Sequence, residues 1–134
     1  MIKELSTDEL CHEIIGASME VHNALGPGLL EKIYMQCLCK ELELRNIPFV
    51  CEFVIPLIYK GLKLETEFMA DLLVDDRVIV ELKAVTEMNP VYEAQLISYL
   101  TLAGKPTGLL INFTVPSLRN GIKRLFPKGH FHHE

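Results

Sequence analysis

The chain has 134 residues, 49% of them hydrophobic and 23% charged, with a formal net charge of −5. That balance suits one globular domain over 1–134, large enough for a real core, with a frayed tail from about residue 128. It argues against a general polyanion-binding surface, and no run approaches the roughly 18 apolar residues of a membrane span, so no membrane partner is expected.

The first ten residues, MIKELSTDEL, have no apolar segment behind a basic one. No signal peptide is expected, and the location expected is intracellular and cytoplasmic. Ser6, with Glu9 three residues on, is a capping-box pattern that opens a first helix running to Leu25. Gly26-Pro27-Gly28 breaks that helix. A second helix is expected from about Leu29 to Leu44, ended by Arg45-Asn46-Ile47-Pro48.

A β region follows. Phe49 to Tyr59 is rich in Val, Ile, Phe and Tyr, with Pro56 suggesting an edge or bulged strand. Lys60-Gly61 turns the chain into Leu62–Glu67. Phe68–Val74 and Val78–Ala84 then form a central hairpin whose near-continuous apolar content implies cover on both faces. Asn89-Pro90 opens a third helix, Val91–Ala103, closed by Gly104 and Pro106. Thr107–Phe113 reads as a buried strand. Leu118–Phe126 fits either a short strand or a helical turn. The fold class is α/β (α+β), in the order α-α-β-β-β-β-α-β with room for one more element.

Cys11, Cys37, Cys39 and Cys51 include no CxxC pair. Reduced and mostly buried thiols are expected rather than a zinc site.

Three charged residues stand inside otherwise apolar strands: Asp71, Glu81 and Lys83. Such burial is expensive unless something uses the charge. Glu81 and Lys83, two apart on a strand, share a face. An ion pair on a solvated face would explain them, but the apolar flanks favour a covered strand. Asp71 meets Glu81 only if the turn between the strands is odd. A two-residue turn at Asp75-Asp76 would set Asp71 opposite Val80. A three-residue loop, Asp75-Asp76-Arg77, pairs Val74 with Val78 and sets Asp71 opposite Glu81. A bulge would serve equally. Two carboxylates at close range call for a cation, and hard oxygens suit Mg²⁺ or Mn²⁺. With a lysine beside them, such a group suits phosphodiester hydrolysis.

Gln95 and Tyr99, four apart on the third helix, share a face. They fit either a substrate phosphate, support of the lysine, or a plain structural role. Glu31 and Tyr34 share a face of the second helix, where Glu31 also complements the helix dipole. His22 fits a metal ligand, a phosphate contact or, preferably, a buried structural histidine.

GLLEKIY (Gly28–Tyr34), ADLLVDDRVIVELK (Ala70–Lys83), EAQLISY (Glu93–Tyr99) and GLLINF (Gly108–Phe113) together resemble the PD-(D/E)xK nuclease superfamily. Within it they resemble the small GxxExxY proteins, with the QxxxY element of RecB-type nucleases. The resemblance implies a restriction-endonuclease-like core, a mixed β-sheet flanked by helices. It also implies a catalytic set of Asp71, Glu81, Lys83 and Glu31. The metal would be held by Asp71, Glu81 and the Leu82 carbonyl, with Glu31 as a further carboxylate. Gln95, Tyr99, Tyr34 and His22 would bind substrate or support the site. Met69 stands where the family often has a basic residue.

The expected function is a Mg- or Mn-dependent nuclease acting on DNA, RNA being the lesser choice, as a homodimer. The alternative is a catalytically weak nucleic-acid-binding or regulatory dimeric module that retains the fold. A hydrolase of smaller phosphoesters is a third reading.

Overall fold

The computed structural model describes residues 4–65 and 68–129. Helix α1 (Thr7–Leu25) starts at the expected capping box. The Ser6 hydroxyl accepts from the Glu9 N–H at 3.0 Å, and the Glu9 carboxylate accepts from the Ser6 N–H at 2.7 Å. Helix α2 (Glu31–Leu44) begins two residues later than the spacing predicts. Helix α3 (Pro90–Ala103) is capped by the Asn89 side chain and ends at Gly104 in the left-handed conformation. There a glycine avoids the steric cost of positive φ.

Among the described residues seven short strands follow the helical opening: β1 (Phe49–Val54), β2 (Ile58–Tyr59), β3 (Leu62–Lys63), β4 (Met69–Val74), β5 (Val78–Lys83), β6 (Thr107–Asn112) and β7 (Ile122–Leu125). The expected strand Phe49–Tyr59 is two strands. The chain leaves the main sheet ahead of Pro56, which has no N–H for a ladder. Strands β2 and β3 then pair only with each other. The expected strand Leu62–Glu67 shrinks to two residues, and Glu67 lies outside the described residues. The ambiguous stretch after Pro116 is both things in turn, a 3₁₀ turn at Leu118–Gly121 and then β7. The tail from residue 130, where fraying is expected, also lies outside the described residues.

The main sheet has the order β1-β4-β5-β6-β7, and β5–β6 is its parallel pair. Helix α3 supplies the crossover that a parallel pair requires. Its close fit shows at Gly108, which pairs with Ile79. A Cβ there would stand 2.8 Å from the Ile79 carbonyl oxygen and 3.1 Å from the Leu96 side chain.

Both sheet faces are covered, as the apolar content of the hairpin implies. Leu72, Val74, Val80 and Leu82 pack with Leu10, Ile14, Leu38 and Leu42 of α1 and α2. Leu73, Ile79 and Leu110 pack with Leu96, Tyr99 and Leu100 of α3. This is the mixed sheet flanked by helices that the resemblance implies.

The cysteines depart from expectation. Cys11 alone is buried, Cys37 and Cys39 are half-buried, and Cys51 is exposed. Cys51 lies on β1, an edge strand with most of its residues uncovered.

Candidate active site

The turn that joins β4 and β5 sets the site. Asp75 and Asp76 both take positive φ, at 49° and 59°. The Arg77 N–H closes the turn on the Val74 carbonyl at 3.0 Å. Acidic residues tolerate this conformation better than β-branched ones. The strands then pair as Val74↔Val78, Leu73↔Ile79 and Leu72↔Val80. The loop is therefore Asp75-Asp76-Arg77, with three residues, the odd register that the sequence argument requires. The same register carries Asp71 opposite Glu81.

At that point side chains take over the ladder. The Asp71 N–H donates to Glu81 Oε1 at 3.2 Å, and the Leu82 N–H donates to Asp71 Oδ2 at 2.8 Å. The strands part here, and the two carboxyl groups fill the gap. The neighbouring pair is disturbed at the same level. Glu52, between Cys51↔Leu72 and Phe53↔Ala70, has φ of 52°. Ala70 packs on the α3 side, although two-residue alternation would put it with Leu72 on the other. Backbone strain of this kind concentrates at functional sites.

Glu81 is 94% buried, and its carboxyl is pushed up to about 8. Burial is the main cause, followed by the Asp71 charge and the hydrogen bond between the two side chains. The Asp71 N–H and the Lys83 charge oppose the shift. Lys83 projects on the same face as Glu81. Its ammonium sits 4.4 Å from the centre of the Tyr92 ring, and it makes no ion pair among the described residues. The aromatic face thus holds the cation without neutralising it.

Glu31, the first residue of α2, lines an open cleft of about 520 Å³ together with Asp71, Glu52 and Lys32. Its carboxyl is raised by partial burial and then by the Asp71 charge, with Lys83 opposing. Glu31, Asp71, Glu81 and Lys83 are therefore electrostatic neighbours, drawn from a helix start and two strands. Tyr99 joins them from α3. Burial raises its phenol, and the Glu81 and Asp71 charges add to that.

Three other residues make no hydrogen bond to the acids among the described residues. Tyr34 is wholly buried, stacked on Phe113 with ring centres 4.6 Å apart. Its hydroxyl donates to the Gly26 carbonyl at 2.5 Å and accepts from the Leu29 N–H at 3.1 Å. It braces the turn that leads into Glu31. His22 is buried, with Nε2 2.8 Å from the Val115 carbonyl oxygen, beside a second cavity of about 240 Å³ that also meets Arg119. Gln95 is exposed, and its side chain makes no hydrogen bond among the described residues.

Three contributors have weak sequence signals. Tyr92 is one aromatic on a helix, and nothing local ties it to Lys83. Glu52 reads as a strand acid facing solvent. Asn112 reads as the end of a buried strand, yet it is clamped to Val85. Its Oδ1 accepts from the Val85 N–H at 3.1 Å and its Nδ2 donates to the Val85 carbonyl at 3.0 Å. That clamp fixes the chain just beyond Lys83, which pairs with Asn112 in the sheet.

The donor set fits a small hard cation. Asp71 and Glu81 give two adjacent carboxyl groups, each with one oxygen engaged by a backbone N–H. In a strand the carbonyl of a residue points to the same side as its N–H, so the Leu82 carbonyl faces the same gap. Among the described residues no group of three or more His, Cys, Asp or Glu side chains is placed to hold a metal ion together. Mg²⁺ takes one or two carboxylates and keeps several waters, so it needs no cage.

No helix among the described residues is long and apolar enough to cross a membrane. A family model described as the PD-(D/E)XK nuclease superfamily matches residues 8–125. Neither the curated proteins nor the solved structures give a match.

Proposed function

The chain belongs to the PD-(D/E)XK nuclease superfamily, and from that premise we propose that it is a metal-dependent nuclease that hydrolyses phosphodiester bonds of DNA, with Asp71, Glu81 and Lys83 as its catalytic residues. The observation that carries this reading is the crossed pair of hydrogen bonds between Asp71 and the Glu81-Leu82 strand. It brings two carboxylates together on a frame of backbone, with a free ammonium beside them.

Asp71, Glu81 and the Leu82 carbonyl would hold Mg²⁺ or Mn²⁺, with Glu31 above them at the start of α2. Bound there, the ion supplies Lewis acidity toward the phosphate and a water of lowered pKa. The protein's own groups do the rest. Lys83, steadied by the Tyr92 ring, hydrogen-bonds the attacking water and orients it. Its charge also favours the negative charge that builds on the phosphate. Glu31, its carboxyl raised by the cleft, takes up the proton released by that water. Tyr99 supports the acids from α3, and Gln95, exposed one turn earlier, contacts the substrate backbone. Lys32, on the cleft wall, meets the neighbouring phosphate.

Gly28, Glu31 and Tyr34 support reading the chain as one of the GxxExxY proteins. A cut through both strands commonly uses two sites, and symmetric dimers are the commonest assemblies, which supports a homodimer as the acting form. The compartment is the cytoplasm.

The test is cleavage of labelled single- and double-stranded DNA, with RNA alongside, in Mg²⁺ or Mn²⁺. Asp71→Ala and Lys83→Ala are each expected to lose on the order of 10²-fold or more of the wild-type rate. Equal activity in all three preparations would point to a contaminant and sink the proposal.

A second reading is a binding or regulatory module that retains the fold and cuts little. Several basic side chains are already committed to acids of the same chain, Arg77 to Asp75, Lys105 to Asp76, Lys123 to Glu93 and Arg124 to Asp8, which limits the charge left for a phosphate backbone. Full DNA binding by a protein that leaves every substrate intact would select it.

A further inference from the structure

We propose that Cys39 and Cys51 form a thiol–disulfide pair in the wall of the candidate catalytic cleft, closed by exchange with a small-molecule disulfide of the glutathione type. The two sulfurs stand 3.7 Å apart, one sharing its proton with the other. Both residues line the cleft that Glu31 and Asp71 also line. Cys39 belongs to α2, two turns beyond Glu31. Cys51 belongs to β1 and pairs with Leu72, the residue after Asp71.

The pairing is specific by geometry. Cys11 is buried in the main core, and Cys37, two residues before Cys39 on the helix, points in another direction. A disulfide needs the sulfurs at about 2.0 Å. The approach from 3.7 Å is short, and one of the two partners sits on an edge strand with open space on its outer side.

Access and acidity order the steps. Cys51 is exposed and Cys39 is half-buried. Burial, the hydrogen bond to Cys51 and the Cys51 and Glu43 charges push the Cys39 thiol up to about 12. Cys51 is therefore the first nucleophile. Its thiolate attacks one sulfur of glutathione disulfide, whose S–S bond breaks. One glutathione leaves and takes up a proton. Cys39 then gives up its proton and attacks the Cys51 sulfur of the mixed disulfide, releasing the second glutathione. Two protein thiols lose two electrons in total, and one glutathione disulfide becomes two glutathione molecules. The product is a covalent tie between α2 and β1 beside Asp71.

The inference is read from thiols and not from cleavage, so its failure and that of the proposed nuclease are separable. The native 134-residue chain, fully reduced, is equilibrated over a series of glutathione to glutathione disulfide ratios. It is then quenched in acid and alkylated, and its intact mass and peptides are read. The expected result is a fall from four alkylatable thiols to two as the disulfide form of glutathione increases, with the Cys39 and Cys51 peptides joined. Cys51→Ser is expected to keep its three remaining thiols. Cys39→Ser is expected to stop at one glutathione on Cys51. Four free thiols at every ratio, or a linkage through Cys37 or Cys11, would overturn the proposal.

Discussion

Glu81 is the residue whose state says most about the site. Its carboxyl has been lifted from 4.5 to about 8, chiefly by burial beside Asp71. In the metal-free protein it therefore binds a proton on folding across the interval between those values. The sign follows from linkage. The stability it contributes is fully present below about pH 4.5, falls as pH rises, and is lost once pH passes through about 8. Glu81→Gln cannot titrate. Thermal midpoints taken in chelator across that interval should fall less with pH for the variant than for wild type. Parallel curves would mean that Glu81 is already charged in the fold. The need for a partner here was legible in the sequence, because Asp71, Glu81 and Lys83 interrupt apolar strands. The roles of Tyr92 and Glu52 were not. One depends on a helix returning over the sheet, the other on a backbone conformation that no local motif encodes. His22 and Tyr34 show the reverse. Each stood out in the chain, and each is held by packing and backbone carbonyls, away from the acids.

At the scale of elements, the hairpin β4–β5 and its crossover make the geometry. The odd loop, or a bulge in its place, could be argued from alternation once Asp71 and Glu81 were taken to share a site, because a shift of one residue would have set Asp71 opposite Val80. The parting of the strands could not, since it rests on carboxylates replacing carbonyls in the ladder. The split of the expected strand Phe49–Tyr59 has a simple cause in Pro56, yet which of its halves joins the main sheet is a tertiary choice. The end of β5 is fixed by Asn112, whose side chain also accepts from the Thr114 N–H at 3.2 Å. Asn112→Ala would leave the Val85 N–H and carbonyl without these partners in a mostly buried setting. It should cost about 1–3 kcal/mol. Urea unfolding checks this, with a lower midpoint at unchanged slope as the expected result. A change under a few tenths of a kcal/mol would show that water replaces the clamp.

For the whole molecule, charge sets the limits. The net charge is −5, and the basic residues near the hairpin are tied to acids of the same chain. Arg77, for instance, holds Asp75 at 2.7 Å and reaches the Leu5 carbonyl at 2.9 Å. Lys32 and Lys83 are left to meet phosphates at the cleft. Binding of a DNA duplex should therefore depend only weakly on salt, with a log–log slope of about −2. Fluorescence anisotropy with Ca²⁺ in place of Mg²⁺ measures it, and a slope of about −5 or steeper would reveal a basic track elsewhere. The fold class was legible at this scale because the order of helices and strands leaves few alternatives. The placement of charge was not, since ion pairs such as Arg124–Asp8 join residues far apart in the chain.

All three scales meet in the claim that Asp71 and Glu81 form one site for a divalent cation. Calorimetric titration of the metal-free chain with Mn²⁺ tests it most directly, run near pH 7 in two buffers of different ionisation enthalpy. The expected result is one ion bound per chain with release of a proton, because the metal displaces the proton held by the buried pair, and loss of that binding in Asp71→Ala. Absence of binding at millimolar Mn²⁺, or the same binding in Asp71→Ala, would contradict it.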